Sequence, residues 1–336
     1  MLENKMRLSE LKSYWKKFIK DDIIDDNISP EIAKSWRDAK DNGLDPYQKE
    51  LNLTFVSQAK IDKRKQEIKA EYEIICDYMN HLHEITKDSG YLISFTDKNG
   101  YVLDIIGDEM IVDLFEEKYS FKPGVKWDCS KTGTNSTALA LKNDKPIQVV
   151  GAEHYCKLLH DWACSAAPIH DVDGNLIGVL NISGLNSNVH IHTLGMVITS
   201  AKSIENQFDL QNLNKELERK NKLEDAIMQT ISEGILVLDK EGIVKFMNET
   251  GGKILKIDHK EAIGHHVTEL VDFRPVILEV LETEKGYVDR EFFIRSHGKL
   301  LHFIKTATVL RDEKGEMQGV LDTFREISRV KKMVNV

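Results

Sequence analysis

The residues with the greatest chemical capacity crowd into one stretch: His154, Cys156, His160 and Cys164, spaced His-x-Cys-x3-His-x3-Cys, with Trp162 before the last. Imidazole and thiolate ligands in that number suit zinc or iron. Against a metal, the stretch has no Cys-x2-Cys pair. The chain must also pass from helix to strand near Trp162, because Ala163 to Ile169 runs on into a hairpin. Cys164 need not then share a face with His160, so a metal is the less favoured reading and no cofactor is expected. A redox site would require a thiolate of lowered pKa and a resolving thiol within reach, which spacing does not establish. The favoured reading is a small-molecule pocket. Trp127, Tyr155 and Trp162 supply apolar walls, Asn135, His154, His160 and Ser165 supply hydrogen bonds, and Cys129, Cys156 and Cys164 stand beside them. For Asn135 a plainer role is equally open, as the cap of a helix from Ser136 to Lys142.

Such a site needs a scaffold, and the sequence shows one used twice. An apolar run, then Asp with Gly three positions on, then a second apolar run occurs four times. The pairs are Asp97 with Gly100, Asp171 with Gly174, Asp239 with Gly242 and, less cleanly, Asp312 with Gly315. Asp caps the turn through its own side chain and Gly takes the positive φ that closes it, so each copy predicts a β-hairpin. One hairpin of each pair opens a segment and the other closes it. The expected fold class is therefore α+β: two antiparallel sheets with inserted helices.

Long helices separate these units. Ser29-Pro30-Glu31 is a helix start, and Gly43 and Pro46 end that helix. Over 55–86 a helix is predicted, with a heptad seam at Ile68, Tyr72, Ile75, Met79, Leu82 and Thr86. A second runs over 192–228, with a seam at Leu210, Leu213 and Leu217 that slips before Leu223 and Ile227. Packing on the adjacent sheet explains either helix. For the second, largely polar and lying between the two units, a parallel homodimer coiled coil is favoured.

With 46 basic against 55 acidic residues, a net charge of −9, the chain lacks the basic balance of a protein that grips nucleic acid. No apolar run approaches the roughly 20 residues of a membrane span, and no signal peptide opens the chain. Cys76, Cys129, Cys156 and Cys164 read as reduced thiols, giving a cytoplasmic expectation without membrane partners.

Four further segments carry a family resemblance: Gly124-Val125-Lys126-Trp127, Thr132-Gly133-Thr134-Asn135-Ser136-Thr137-Ala138-Leu139, Gly151-Ala152-Glu153-His154-Tyr155 and Cys164-Ser165-Ala166-Ala167-Pro168-Ile169. With Ser29-Pro30-Glu31-Ile32-Ala33-Lys34-Ser35-Trp36 upstream and His190-Ile191-His192-Thr193-Leu194 downstream, the region resembles the GAF-type sensor of sigma-54-dependent activators of the acetoin-regulator kind. The second half, from Ser232-Glu233-Gly234-Ile235-Leu236-Val237-Leu238-Asp239 through Asn248 and Gly264 to a strand at Gly319, resembles a PAS domain. The resemblance divides the chain into an N-terminal helical segment (1–54), a GAF-like domain (55–208), a signalling helix (209–228), a PAS-like domain (229–330) and the start of a linker (331–336).

What the resemblance implies is a non-enzymatic signal-input region. A metabolite in the GAF-like pocket would bias the helix, and the PAS-like domain would pass that bias on. In full regulators of this kind the output is an ATPase acting on sigma-54 polymerase from enhancer DNA. No G-x-x-x-x-G-K-[ST] loop or helix-turn-helix occurs here, and the sequence reaches Val336 partway through an amphipathic helix begun near Ile327. Open alternatives are the sensor of a histidine kinase or diguanylate cyclase, a metal or redox sensor on the His/Cys cluster, and a thiol-dependent reductase of free methionine sulfoxide, an activity found among GAF domains. Haem in the PAS-like domain would need a histidine on the helix 273–284, which has none. His259, His265, His266, His297 and His302 fall in flanking loops or strands. Flavin adduct chemistry would need a cysteine after Cys164. The PAS-like domain is read as a relay rather than a receptor.

Overall fold

This computed structural model describes residues 2–186, 192–271, 275–296 and 299–327. The chain forms two compact units, 1–214 and 215–336, with the division inside one helix. Each holds a five-stranded sheet in which all neighbours are antiparallel.

In the first unit the helices α1 (Leu2–Asp21) and α2 (Pro30–Asp41) lead to β1 (Thr54–Phe55), α3 (Gln58–Glu67) and α4 (Lys69–Thr86). There follow β2 (Tyr91–Asp97), β3 (Val102–Gly107), α5 (Glu109–Tyr119), β4 (Val125–Lys126), the single turn α6 (Cys129–Thr132) and α7 (Ser136–Asn143). The unit closes with β5 (Ile147–Val150), two 3₁₀ turns, β6 (Trp162–His170), β7 (Leu176–Leu185) and the long α8 (His192–Thr230). The sheet order is β3-β2-β7-β6-β5, and β1 pairs separately with β4.

All four Asp–Gly turns form. Gly100, Gly174, Gly242 and Gly315 take φ of 85°, 79°, 83° and 85°. In every copy the Asp Oδ1 accepts the backbone N–H groups two and four residues on. The fourth, less regular in sequence, is as regular as the others in space. The opening and closing hairpins of each unit meet at the sheet centre, where β2 pairs with β7 in the first and β8 (Gly234–Asp239) with β12 (Met317–Glu326) in the second.

Strand alternation gives the first sheet two buried faces. On one, Ile93, Phe95, Ala167, Ile169, Leu180 and Ile182 pack under Ile75, Met79 and Leu82 of α4 and Val197, Ile204 and Phe208 of α8. The heptad seam of α4 therefore packs on its own sheet. The helix predicted over 55–86 is two helices, broken at Ile68 (φ −125°, ψ 35°). The break lets α3 lie along the hairpin, where Arg64 reaches Asp97 at 2.6 Å and Lys65 reaches Asp104 at 3.6 Å. On the other face Leu92 and Trp162 meet Phe115, Tyr119, Phe121, Trp127 and Leu159.

In the second unit β8 (Gly234–Asp239), β9 (Val244–Met247), α9 (Glu249–Leu255), α10 (Val267–Leu270) and α11 (Ile277–Thr283) precede β10 (Tyr287–Ser296), β11 (Lys299–Arg311) and β12 (Met317–Glu326). The order is β10-β11-β12-β8-β9. Asn248 caps α9, accepting from Gly251 N–H at 2.7 Å, and its amide also ties back to Glu233. Among the expected flanking histidines, His266 caps α10 and His302 pairs with Glu291 at 2.9 Å. Phe273, His190, Ile191, His297 and the terminal helix and linker beyond Ile327 lie outside the described residues. Among the described residues no helix is long and apolar enough to cross a membrane.

Candidate functional site

The sheet face under α5 holds a cavity whose walls are Phe115, Phe121, Trp127, Leu159 and Trp162. Trp162 is fixed by its indole N–H, which donates to Tyr119 Oη at 2.6 Å, and Trp127 packs edge-on to Phe121 at 4.7 Å. The floor is polar. Ser136 Oγ donates to Asn181 Oδ1 at 2.9 Å, the Asn181 amide donates to Ser183 Oγ at 2.9 Å, and Ser183 Oγ donates to Cys164 Sγ at 3.1 Å. Ser94 joins the same amide at 3.4 Å. Among the described residues no Asp, Glu, Lys or Arg lines the cavity.

His154 completes the lining. It is 1% exposed, and burial pulls its pKa down to about 4, so the ring is neutral. Nδ1 faces the Gly151 carbonyl at 3.0 Å and so carries the proton. Nε2 is left as an acceptor. The free space is about 20 Å³, against the roughly 10–15 Å³ that one water needs on the same measure. The arrangement is a nearly filled, uncharged cavity, with groups that can donate to and accept from hydroxyls.

Of the ten residues the sequence suggested, Trp127, Asn135, His154, Trp162 and Cys164 line this cavity. Asn135 is there as a helix cap. Its Oδ1 accepts from Ala138 N–H at 2.8 Å and its amide donates to Thr132 Oγ1 at 2.7 Å, which leaves it little capacity for a ligand.

The other five belong elsewhere. Tyr155 gives its hydroxyl to the Leu44 carbonyl at 3.1 Å, Cys156 Sγ accepts from the Gln48 amide at 3.2 Å, and His160 packs edge-on to Trp15 at 4.7 Å. Ser165 pairs with Gln148 at 2.9 Å and shares the opposite sheet face with Ala167 and Ile169. Cys129 packs against the cluster of α1 and α2. His154, Cys156, His160 and Cys164 are thus divided between two environments, and among the described residues no group of three or more His, Cys, Asp or Glu is placed to hold a metal.

The segment 151–160 turns its far side to the N-terminal helices. Trp15 and Trp36 donate their indole N–H groups to the carbonyls of Tyr155 and Glu153 at 2.9 and 2.7 Å, and Ser35 meets Thr134 at 2.8 Å. Gly133 sits between them at φ 69°, where a Cβ would fall 2.9 Å from Tyr155 Cβ. The resembling motifs around Ser35-Trp36, Gly133-Thr134-Asn135 and Glu153-His154-Tyr155 therefore dock on one another. Sequence reasoning missed Ser94, Ser136, Asn181 and Ser183. The available signal was Asn181 and Ser183 at a two-residue spacing within the otherwise apolar run 177–185.

Residues 73–207 match the GAF domain family and residues 223–327 match the PAS fold. The chain is a GAF domain followed by a PAS fold. Among curated relatives, the signal-transduction and transcriptional-control protein of Clostridium beijerinckii is 32% identical over 270 residues, 80% of this chain and 42% of that protein. The acetoin dehydrogenase operon transcriptional activator of Bacillus subtilis is 32% identical over 206 residues, 61% and 34% respectively. The chain thus spans less than half the length of these curated relatives. In fold, the E. coli protein in the crystal structure of the DhaR(N)-DhaL complex aligns with a TM-score of 0.77 at 18% identity, over 88% of this chain and 99% of that one. By name the two curated relatives are transcriptional regulators, and this chain, a GAF domain followed by a PAS fold, is similar to part of each.

Proposed function

We propose that the GAF cavity is the receptor site for a small, uncharged, hydroxyl-bearing metabolite, and that α8 and the PAS fold carry its occupancy to a sigma-54-activating output. The observation that carries the reading is the polar floor Ser136–Asn181–Ser183–Cys164 facing a neutral His154 with Nε2 open, inside aromatic walls that carry no charge. A charged ligand would be desolvated there without a counter-charge, whereas a hydroxyl meets a donor or acceptor on either side. Acetoin, for which the Bacillus relative is named, is a compound of this class. Turnover is not part of the proposal. Burial pushes the Cys156, Cys164 and Cys129 thiols up to about 12, 11 and 11, opposite to what a thiolate nucleophile needs.

The test is calorimetric titration of the chain with acetoin and 2,3-butanediol. His154→Leu and Ser183→Ala should each weaken binding tenfold or more, about 1.4 kcal/mol. Ser165→Ala, on the opposite face, should leave it unchanged. In the full-length regulator the same compounds should alter sigma-54-dependent transcription. A loss as large with Ser165→Ala, or no binding at all, would remove the proposal. The small free volume favours one second reading, a protein input, because the E. coli neighbour is found in complex with DhaL.

A further inference from the structure

In the GAF domain the ring of His170 stands between two carboxylates on different elements. His170 ends β6. Its Nδ1 lies 2.8 Å from Glu205 Oε1 on α8, and its Nε2 lies 2.7 Å from Oδ1 of Asp144, which caps the end of α7 at φ 51°. The His170 backbone N–H donates to the same Glu205 oxygen at 3.0 Å, and Lys202 donates to the other at 3.0 Å. An ionised carboxylate can only accept, so both ring nitrogens donate and the ring is an imidazolium. Burial opposes the charge on His170, but Glu205 and Asp144 outweigh it and hold the ring above its ordinary value. Burial likewise opposes the charge on Glu205, and His170 with Lys202 holds it below the usual carboxylate range.

Loss of one proton unbalances this site. Two carboxylates would then flank a neutral ring whose second nitrogen turns a lone pair to one of them. Glu205, with a side chain 18% exposed, keeps the His170 N–H, Nδ1 and Lys202 as donors. The Asp144 side chain is 58% exposed and can turn to water, so its contact is the one released. Neighbouring charges are engaged or solvated: Asp171 turns Oδ1 to its own hairpin amides, Lys142 pairs with Asp38, and Lys145 is exposed.

We propose that His170 gives the GAF domain a pH input, a clamp that ties α7 to α8 when protonated and releases Asp144 when neutral. α7 begins at Ser136 in the cavity floor, and α8 runs on past the end of this unit, so the clamp joins the two where they come together. Because the folded-state value is raised, the clamp is complete below about pH 6.5, the ordinary histidine value, and is lost as the pH rises through the higher one. That is opposite to His154 and His160, so the two effects fall on different sides of the pH scale. No ligand is needed, and the clamp stands apart from the receptor reading.

Long-range ¹H–¹⁵N spectra of the full chain with labelled histidine should show His170 losing its proton above about pH 6.5. Asp144→Asn removes the charge and keeps a residue type that tolerates positive φ. It should lower that midpoint by about half a unit or more. Hydrogen exchange in the last turn of α7 gives the second readout, with His170→Gln as the reference that cannot be clamped by charge. Below the midpoint the unaltered chain should exchange there about threefold or more slowly than the reference, and above it the two should converge. Should the substitution at His170 fail to fold, Asp144→Asn, at an exposed position, takes its place as reference. A midpoint at or below the ordinary value, a midpoint unmoved by Asp144→Asn, or an exchange ratio level across the titration would overturn the proposal.

Discussion

His154 and His160 are kept neutral by burial, both pulled down to about 4. The unfolded chain would hold them near the ordinary value of about 6.5. A depressed histidine makes the unfolded state bind more protons between those limits. The stability it supports is therefore present above about pH 6.5 and is lost as the pH falls toward 4. Each contributes up to about 3 kcal/mol over that window, as an order of magnitude. The GAF domain should accordingly melt at a markedly lower temperature at pH 5 than at pH 7. His160→Phe, which keeps a ring against Trp15, should reduce that difference; a melting temperature insensitive to pH over this range would contradict the assignment. His170 acts in the opposite sense. Burial alone would lower it, but Glu205 and Asp144 at 2.8 and 2.7 Å raise it above its ordinary value. At this scale residue types were legible in the sequence and side-chain directions were not. Tyr155, Cys156 and His160 neighbour His154 in sequence but do not line the cavity with it. The segment is two short 3₁₀ turns, Gly151–Glu153 and Lys157–Leu159, so adjacent side chains leave it in different directions.

Elements were more legible than side chains because turn chemistry is local. An Asp that bonds the amides two and four residues ahead, with a Gly at positive φ between them, carries its whole cause within five residues. The break at Ile68 was hidden because its cause is distant, in Asp97 and Asp104 on the hairpin. Asn181 and Ser183 were hidden likewise, since a strand's faces acquire meaning only once its neighbours are placed. The helix α8 leaves Leu210, Leu213 and Leu217 51%, 61% and 57% exposed. Burying a leucine side chain is worth roughly 1.5–3 kcal/mol, so a second copy of α8 against this seam is the homodimer we propose. Leu213→Ser with Leu217→Ser should convert a dimer to a monomer by light scattering. An unaltered mass would count against this face as the interface.

At the level of the whole chain, the boundary inside α8 separates two units, each with its own core: Leu180 lies in the GAF core and Leu238 in the PAS core, both fully buried. Truncating a buried leucine to alanine costs about 2–5 kcal/mol, enough to displace one unfolding transition without touching another that does not include the site. Calorimetry should therefore show two transitions, one lowered by Leu180→Ala and the other by Leu238→Ala. Acid adds an independent label, because His154 and His160 both lie in the first core, so lowering the pH should move the transition that Leu180→Ala moves. A single transition lowered by both variants would mean that α8 locks the two cores into one cooperative body. Signal would then pass as a shared stability. With two transitions, a ligand in the GAF cavity raises only the first directly, and whatever reaches the PAS fold must travel as a change in α8 itself.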